Sequence, residues 1–438
     1  MDPYFHGMVV LIWMLLSMSL GNCAISKSRV YIPKSRAWEV LDSMHGMYVV
    51  PLIWALGRRK NCEPRLFWIE PRQETQWNYV EPIIWRATGD MQYRKFIRFY
   101  RMSPEAFEHL VYMLTPYLKS QCTHLVRPQL EIRKIVAIVL YRFVHGHSLD
   151  HIADRLQVGG STVRKYIDIV CDILVDRDKL FSHYISIPTG EQLESIISDF
   201  HDITGLPNIC GAIDGTHISL AERPSHMVTH AQSDFFNRKK FHSIVLQGVC
   251  DAKRVFWNVC AGQPGGVHDG GQFKSSSLYQ QLRDRSILQQ PVVNVGGKMC
   301  TPYLIGDSAY PIRTYLQKNW RSTTDEGKKR YNAAMNSGRV VIEHAFGSLK
   351  NRWQILNSFN ARVDRAARVS IACCWLHNYC ELWKVPEPMG YSPQQSDPLV
   401  GFGNFRIPIL CQLESAKAEG ESLREKLYEQ WTLENPIA

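Results

Sequence analysis

The run Ile209-Cys-Gly-Ala-Ile-Asp-Gly-Thr-His-Ile-Ser-Leu220 constrains this chain more than any other stretch. Its first residues are small or apolar and lead straight into Asp214, followed at once by Gly215. A continuous apolar run edged by glycine predicts a strand covered on both faces, hence a sheet with helices packed against it. A carboxylate just past such a strand needs a buried partner or a cation, because an unpaired buried charge is too costly. Two later segments offer company. Tyr303-Leu-Ile-Gly-Asp-Ser-Ala-Tyr310 ends a second short strand at Asp307, and Arg339-Val-Val-Ile-Glu-His-Ala-Phe-Gly-Ser-Leu-Lys350 sets Glu343 on a helix.

Ile213–Leu220, His242–Cys250 and Val255–Ala261 predict three consecutive strands, with turns at Arg223-Pro224 and Asp251-Ala-Lys-Arg254. A glycine-rich loop, Gly262–Gly271, leads into a helix near Phe273–Leu282; Pro302–Ile305 is a fourth strand, and helices follow to about Leu382. That order predicts an α/β fold with a ribonuclease-H-like mixed sheet flanked by helices.

Upstream the pattern is helical. Tyr93, Phe96, Phe99 and Tyr100 recur at helical spacing, and Ser103-Pro104 starts a helix whose apolar face is Phe107, Leu110, Val111 and Leu114. Ile132–Phe143 predicts an internal helix. Ser148–Ile167 resembles a helix-turn-helix: Leu149, Ile152, Ala153 and Leu156 face inward, Val158-Gly159-Gly160 turns, and Ser161 caps a second helix. Thr162, Arg164 and Lys165 would then face DNA; a plain helical hairpin is the blander reading. The resulting layout is an apolar leader (1–30), an irregular linker rich in Pro, Trp and Arg (31–91), an all-helical N-terminal domain with the helix-turn-helix-like unit (92–205), the sheet domain (206–385) and a charged C-terminal tail (386–438). The tail's helix, Leu413–Trp431, reads as peripheral.

The chain has 438 residues and a net charge of +10, which favours a polyanionic partner, nucleic acid before anionic membrane. Its 12 cysteines are scattered without Cys-x-x-Cys spacing, which predicts reduced core thiols rather than a disulfide or zinc scaffold. Met8–Leu20 is apolar but shorter than the ~20 residues of a spanning helix. It is about the length of a signal-peptide core, yet no Lys or Arg precedes it. A secreted or membrane-anchored protein is therefore the minor alternative to an intracellular one.

Three carboxylates without His or Cys favour a hard cation, Mg²⁺ or Mn²⁺. Two such ions ~4 Å apart suit in-line displacement at a phosphodiester. On the Glu343 helix, Ile342, Ala345 or Phe346, Leu349 and Trp353 form the predicted buried stripe, and Arg339, Glu343, Gly347 and Lys350 the adjoining face, with both cations flanking the acid. Each acid also has a plainer use: a turn for Asp307, and an ion pair with Arg339 one helical turn away for Glu343.

Gly211-Ala-Ile-Asp-Gly-Thr-His217, Asn237-Arg-Lys-Lys-Phe-His-Ser243 with Gln247-Gly-Val-Cys-Asp251, Pro264-Gly-Gly-Val-His-Asp269, Gly306-Asp-Ser-Ala-Tyr-Pro311 and Glu343-His-Ala-Phe-Gly-Ser-Leu-Lys350 together resemble the PIF/Harbinger superfamily of DDE transposases and its domesticated nuclease relatives. The resemblance runs from residue 92 to residue 382. It implies that Asp214, Asp307 and Glu343 are a metal-binding catalytic triad for cutting or joining DNA strands, and that Asp251 and Asp269 support it. It sets Lys239 and Lys240 on DNA phosphates; Arg339 and Lys350 on the face of the Glu343 helix, and Arg164 and Lys165 of the helix-turn-helix-like unit, are the further candidates for DNA contact. It also implies a nuclear protein, with the cytoplasm as a second compartment, and a separate Myb-like DNA-binding partner protein; a homo-oligomer is compatible with it. The alternative is a catalytically silent DNA- or chromatin-binding protein domesticated from a transposase. Loop capping is the plainer reading of His268 and Asp269. After Pro311 the family's Leu-x-Thr-Pro-aromatic segment is replaced by Tyr315-Leu-Gln-Lys-Asn-Trp320.

Overall fold

The computed structural model describes residues 90–120, 130–224, 231–360, 362–387 and 410–436. The apolar leader and nearly all of the irregular linker lie outside the described residues. Helices come first, as the apolar spacing predicts. Helices α1 (Asp90–Tyr100) and α2 (Pro104–Ser120) bury Phe96, Tyr100, Phe107, Leu110, Val111 and Leu114. The Ser103 hydroxyl accepts from the Ala106 amide at 3.2 Å, capping α2. Helix α3 (Ile132–His145) is buried from Ile135 to Val144.

The helix-turn-helix-like unit comprises α4 (Leu149–Leu156) and α5 (Gly160–Val175). Ser148 caps α4, but Gly159, not Ser161, occupies the cap position of α5. Glycine suits a helix start, so the turn closes earlier than the hydroxyl predicts. Val163, Tyr166, Ile167, Val170, Cys171, Ile173 and Leu174 of α5 are buried. Helix α6 (Phe181–Tyr184) and α7 (Gly190–Thr204) complete the lead-in.

Strand β1 (Ile209–Ser219) runs antiparallel to β2 (Ser243–Cys250), which pairs antiparallel with β3 (Phe256–Pro264). Two short helices follow, α8 (Asp269–Ser275) and α9 (Ser277–Arg283). They replace the single predicted helix because Ser276 interrupts it, accepting from the Tyr279 amide at 3.2 Å as a new cap. A hairpin of β4 (Val293–Val295) and β5 (Lys298–Cys300) stands apart from the main sheet. Strand β6 (Tyr303–Gly306) lies parallel to β1, and β7 (Leu316–Gln317) parallel to β6. The result is a five-stranded mixed sheet in the order β3-β2-β1-β6-β7.

Long helices α10 (Glu326–Arg352) and α11 (Val363–Leu382) follow, then α12 (Leu410–Glu434). Apolar layers cover both sheet faces. Ile213, Val249, Trp257 and Leu304 pack with Phe273, Leu278 and Leu282 of α8 and α9. Ala212, Leu246, Cys250 and Ile305 pack in the layer of Ile342, Phe346 and Cys373 from α10 and α11. The predicted stripe of α10 is buried throughout. Cys171, Cys210, Cys250, Cys300, Cys373, Cys374 and Cys380 are free and buried, and Cys260 is free and half-buried. No helix of the described residues is long and apolar enough to cross a membrane.

The helix expected to be peripheral is not. Leu423, Leu427 and Trp431 of α12 are buried, and the Trp431 indole donates to the Thr204 carbonyl at 3.3 Å. The three recur every fourth residue, a narrow apolar stripe that the surrounding charges conceal in the sequence. Helix α12 thereby packs against α10, the β4–β5 hairpin and the edge strand β7. Leu427→Ala is expected to lower unfolding free energy by about 2–5 kcal/mol in urea titration. Leu433→Ala, on an exposed side chain of the same helix, should change it by less than about 0.5 kcal/mol.

Candidate active site

The β1–β6 pairing builds the site. Ile213 lies opposite Gly306 in parallel register, so the next residues, Asp214 within β1 and Asp307 just past the end of β6, stand at the same level. Asp214 Oδ1 accepts from the Gly215 amide at 2.8 Å. Asp307 closes a turn, its Oδ1 accepting from the Ala309 amide at 2.8 Å, while it also stands half-buried at the rim. The turn reading of Asp307 therefore leaves its half-buried carboxylate open to a place at the site.

Asp269, the first residue of α8, belongs to the same cluster. A Cβ on Gly215 would stand only 2.5 Å from Asp269 Oδ1, so the missing side chain of Gly215 is what admits that carboxylate. Burial, then Asp269, then Asp307 push the Asp214 carboxyl up to about 8, against the Gly215 amide and Arg339. Burial and then Asp307 push Asp269 up to about 6. His268 occupies the cap position of α8 without a side-chain cap bond, and Asp269 follows it as the acid of the first turn, its carboxyl also meeting its own backbone amide. Sequence reasoning gave Asp269 too small a part; Gly215, directly after Asp214, was the available signal.

Asp251 is different. Its Oδ1 accepts from the Lys253 and Val255 amides at 2.9 and 2.8 Å, closing the turn between β2 and β3. Burial pushes it up to about 6, and the charged neighbours acting on it are Lys253 and Asp199, not the acids at the strand ends. The structure thus gives it a turn-closing part in place of the supporting one expected.

Glu343, on α10, is engaged by Arg339, with Nη2 to Oε1 at 2.9 Å and both side chains about a quarter exposed, and Arg339 in turn acts on Asp214. Lys350, expected to flank Glu343, turns instead to β1, donating to Thr216 Oγ1 at 2.7 Å and the His217 carbonyl at 2.8 Å. Burial and Lys239 lower this ammonium to about 8. His217 is lowered to about 4 by burial, Lys350 and Lys239, and its Nδ1 lies 3.1 Å from Ser243 Oγ. Asn237 donates to the same hydroxyl at 2.8 Å, tying the exposed Lys239–Lys240 loop to this network. Arg164 and Lys165 are exposed on the first turns of α5.

Among the described residues, no trio of His, Cys, Asp or Glu side chains stands ready to hold a cation as placed. The donor set nonetheless fits a hard divalent ion: it is all oxygen, and Asp214 carries a like-charge burden that a cation would relieve. The sign of that burden is testable without metal. A carboxyl raised above its unfolded value binds protons in the folded state between about pH 4 and about pH 8, so stability falls as pH rises through that window. Unfolding in chelator should show this fall. Asp214→Asn should remove about 1–3 kcal/mol of it, since water at the crevice mouth screens part of the repulsion.

A family profile described as DDE superfamily endonuclease matches residues 213–378, a span that contains all five acids. Antagonist of Like Heterochromatin Protein 1 from Arabidopsis thaliana is 31% identical over 291 residues, covering 65% of this chain and 72% of that protein. An Arabidopsis ALP1-like protein is 30% identical over 256 residues, covering 57% and 60%. Human HARBI1, named as a candidate nuclease, is 24% identical over 314 residues, covering 68% and 83%. No solved structure matches. Motifs, order of elements and relatives agree: the chain belongs to the DDE superfamily endonucleases, in the Harbinger-transposase-derived group.

Proposed function

We propose that this protein is a metal-dependent DNA endonuclease, hydrolysing or transferring phosphodiesters with Asp214, Asp307 and Glu343 at its centre. The observation that carries the reading is the β1–β6 register, which delivers Asp214 and Asp307 to one level beside the half-buried Asp269. The strand order β3-β2-β1-β6-β7, antiparallel on one side of β1 and parallel on the other, supports a ribonuclease-H-like core. Divalent ions, when bound, would supply a nucleophilic water and charge stabilisation for the leaving 3′ oxygen. Asp214 and Asp307 would hold them, with Glu343 once its carboxylate leaves Arg339; the freed guanidinium is then available to a phosphate. Asp269 adds negative charge that strengthens cation binding at Asp214. Lys239 and Lys240 supply an exposed basic loop for the DNA backbone.

DNA is the partner this reading requires. A Myb-like partner protein and a nuclear location accompany it as parts of the same proposal.

Purified protein should nick supercoiled DNA with Mg²⁺ or Mn²⁺. Asp214→Ala, Asp307→Ala and Glu343→Ala should each reduce the rate by at least about 100-fold while unfolding cooperatively. Wild-type rates in these variants would reject the assignment. Lys239→Gln with Lys240→Gln should weaken DNA binding about equally across sequences. The slope of log K against log salt should become shallower by about 1.8, as expected for two lost phosphate contacts. An unchanged slope would remove that loop from the interface.

A further inference from the structure

We propose that Lys318, held in place by the C-terminal helix, is a positioning residue for Asp307; this rests on the nuclease reading of Asp307. The Asp307–Tyr310 turn keeps its shape through the Ala309 amide bond to Asp307 Oδ1, the Tyr310 amide bond to the Asp307 carbonyl at 3.3 Å, and Lys318. The Lys318 ammonium donates to the Ser308 carbonyl at 3.0 Å and to the Tyr310 carbonyl, bracketing the turn from below. Bonds from an ammonium are charge-assisted and stronger than neutral ones, so this bracket is the firmest hold on the turn.

Lys318 needs support of its own. It leaves β7, which is two residues long and paired on one side to β6. Helix α12 covers that edge. Gln317 Nε2 donates to the Gly420 carbonyl at 3.2 Å and to the Arg313 carbonyl at 2.8 Å. A Cβ on Gly420 would stand 2.7–2.9 Å from Arg313 backbone atoms, so the helix seats only because that residue is glycine. Two residues beyond Lys318, the Trp320 ring is faced by Arg424 at 4.4 Å and Lys328 at 4.9 Å. Burial of Leu423, Leu427 and Trp431, which follow Gly420 at helical spacing on the same face, fixes α12 against the body of the protein. An unbroken line of contacts thus runs from the chain's last helix to the Asp307 turn.

Residues 315–320 stand where this sequence departs from the family's motif, and helix α12 lies beyond the span of the resemblance.

The test uses full-length protein, first without metal or DNA. In Lys318→Met, hydrogen exchange in peptides spanning Asp307–Pro311 should be at least ten-fold faster, with exchange in α11 unchanged. Gly420→Val should do the same by unseating the helix, and Lys318→Arg should restore most of the protection. In cleavage assays Lys318→Met should lower kcat about ten-fold and leave KM unchanged. Unchanged exchange in both Lys318→Met and Gly420→Val overturns the proposal. Full kcat in a variant whose turn exchanges faster overturns it as well. Should wild-type protein cut no DNA, the nuclease reading fails by itself, and the exchange data still decide whether Lys318 holds the turn.

Discussion

The pairing of β1 with β6 is the constraint on which the rest depends. It forces Asp214 and Asp307 to one level, and Gly215 lets Asp269 join them. Burial first, and then repulsion from the neighbouring carboxylates of Asp269 and Asp307, displaces Asp214 so far from its ordinary value. The sheet withstands this because β1 is hydrogen-bonded on both edges: from Ala212 to Ser219 against β2, and at its start against β6. Each such bond contributes about 0.5–1.5 kcal/mol net, so several together exceed the local repulsion. A strand at the sheet edge, held on one side, could not keep its acid in so unfavourable a place.

The helical unit supplies rigidity more than a free recognition surface. Asp168 and Asp172 of α5 bind Arg365 and Arg368 of α11, the first pair bidentate at 2.7 and 2.9 Å. Tyr379 and the fully buried Arg352 reach from the helices of the sheet domain to the Ala106 and Arg101 carbonyls. With its middle and far end engaged in this way, α5 presents Arg164 and Lys165 near its start and little else. A helix so deeply packed cannot lie lengthwise in a major groove, although its first turns can meet a backbone.

What was legible in the sequence was whatever strand ends and helical spacing determine. Asp214, Asp307 and Glu343 are each placed by the element that carries them, and those elements declare themselves through apolar runs and a stripe from Ile342 to Trp353. The β4–β5 hairpin was there to be read in Val293-Asn-Val-Gly-Gly-Lys-Met-Cys300, with Gly296 and Gly297 at positive φ in the turn, but its strands are too short to carry a period. Strand β7 carries no local signal, because two residues become a strand only when β6 and α12 lie beside them. Lys318 was not singled out, and Asp269 was given only a supporting part, for a related reason. Their parts depend on what long-range packing sets against them, and nothing within a few residues announces that.

Charge changes sign along β1. Asp214 sits within the acidic crevice, whereas Thr216 and His217, two to three residues on, receive the buried Lys350 ammonium. At ~3.3 Å per residue the two regions are about 7–10 Å apart, close to the spacing of successive phosphates on a DNA strand. His217, lowered to about 4 by burial and then by Lys350 and Lys239, is neutral at physiological pH and adds no charge to the basic side. On the nuclease reading, a cation site and an ammonium at that separation suit neighbouring phosphates, one reacting and one held. The orientation of the strand would then be set by β1 itself, through the order in which it presents its acid and its base.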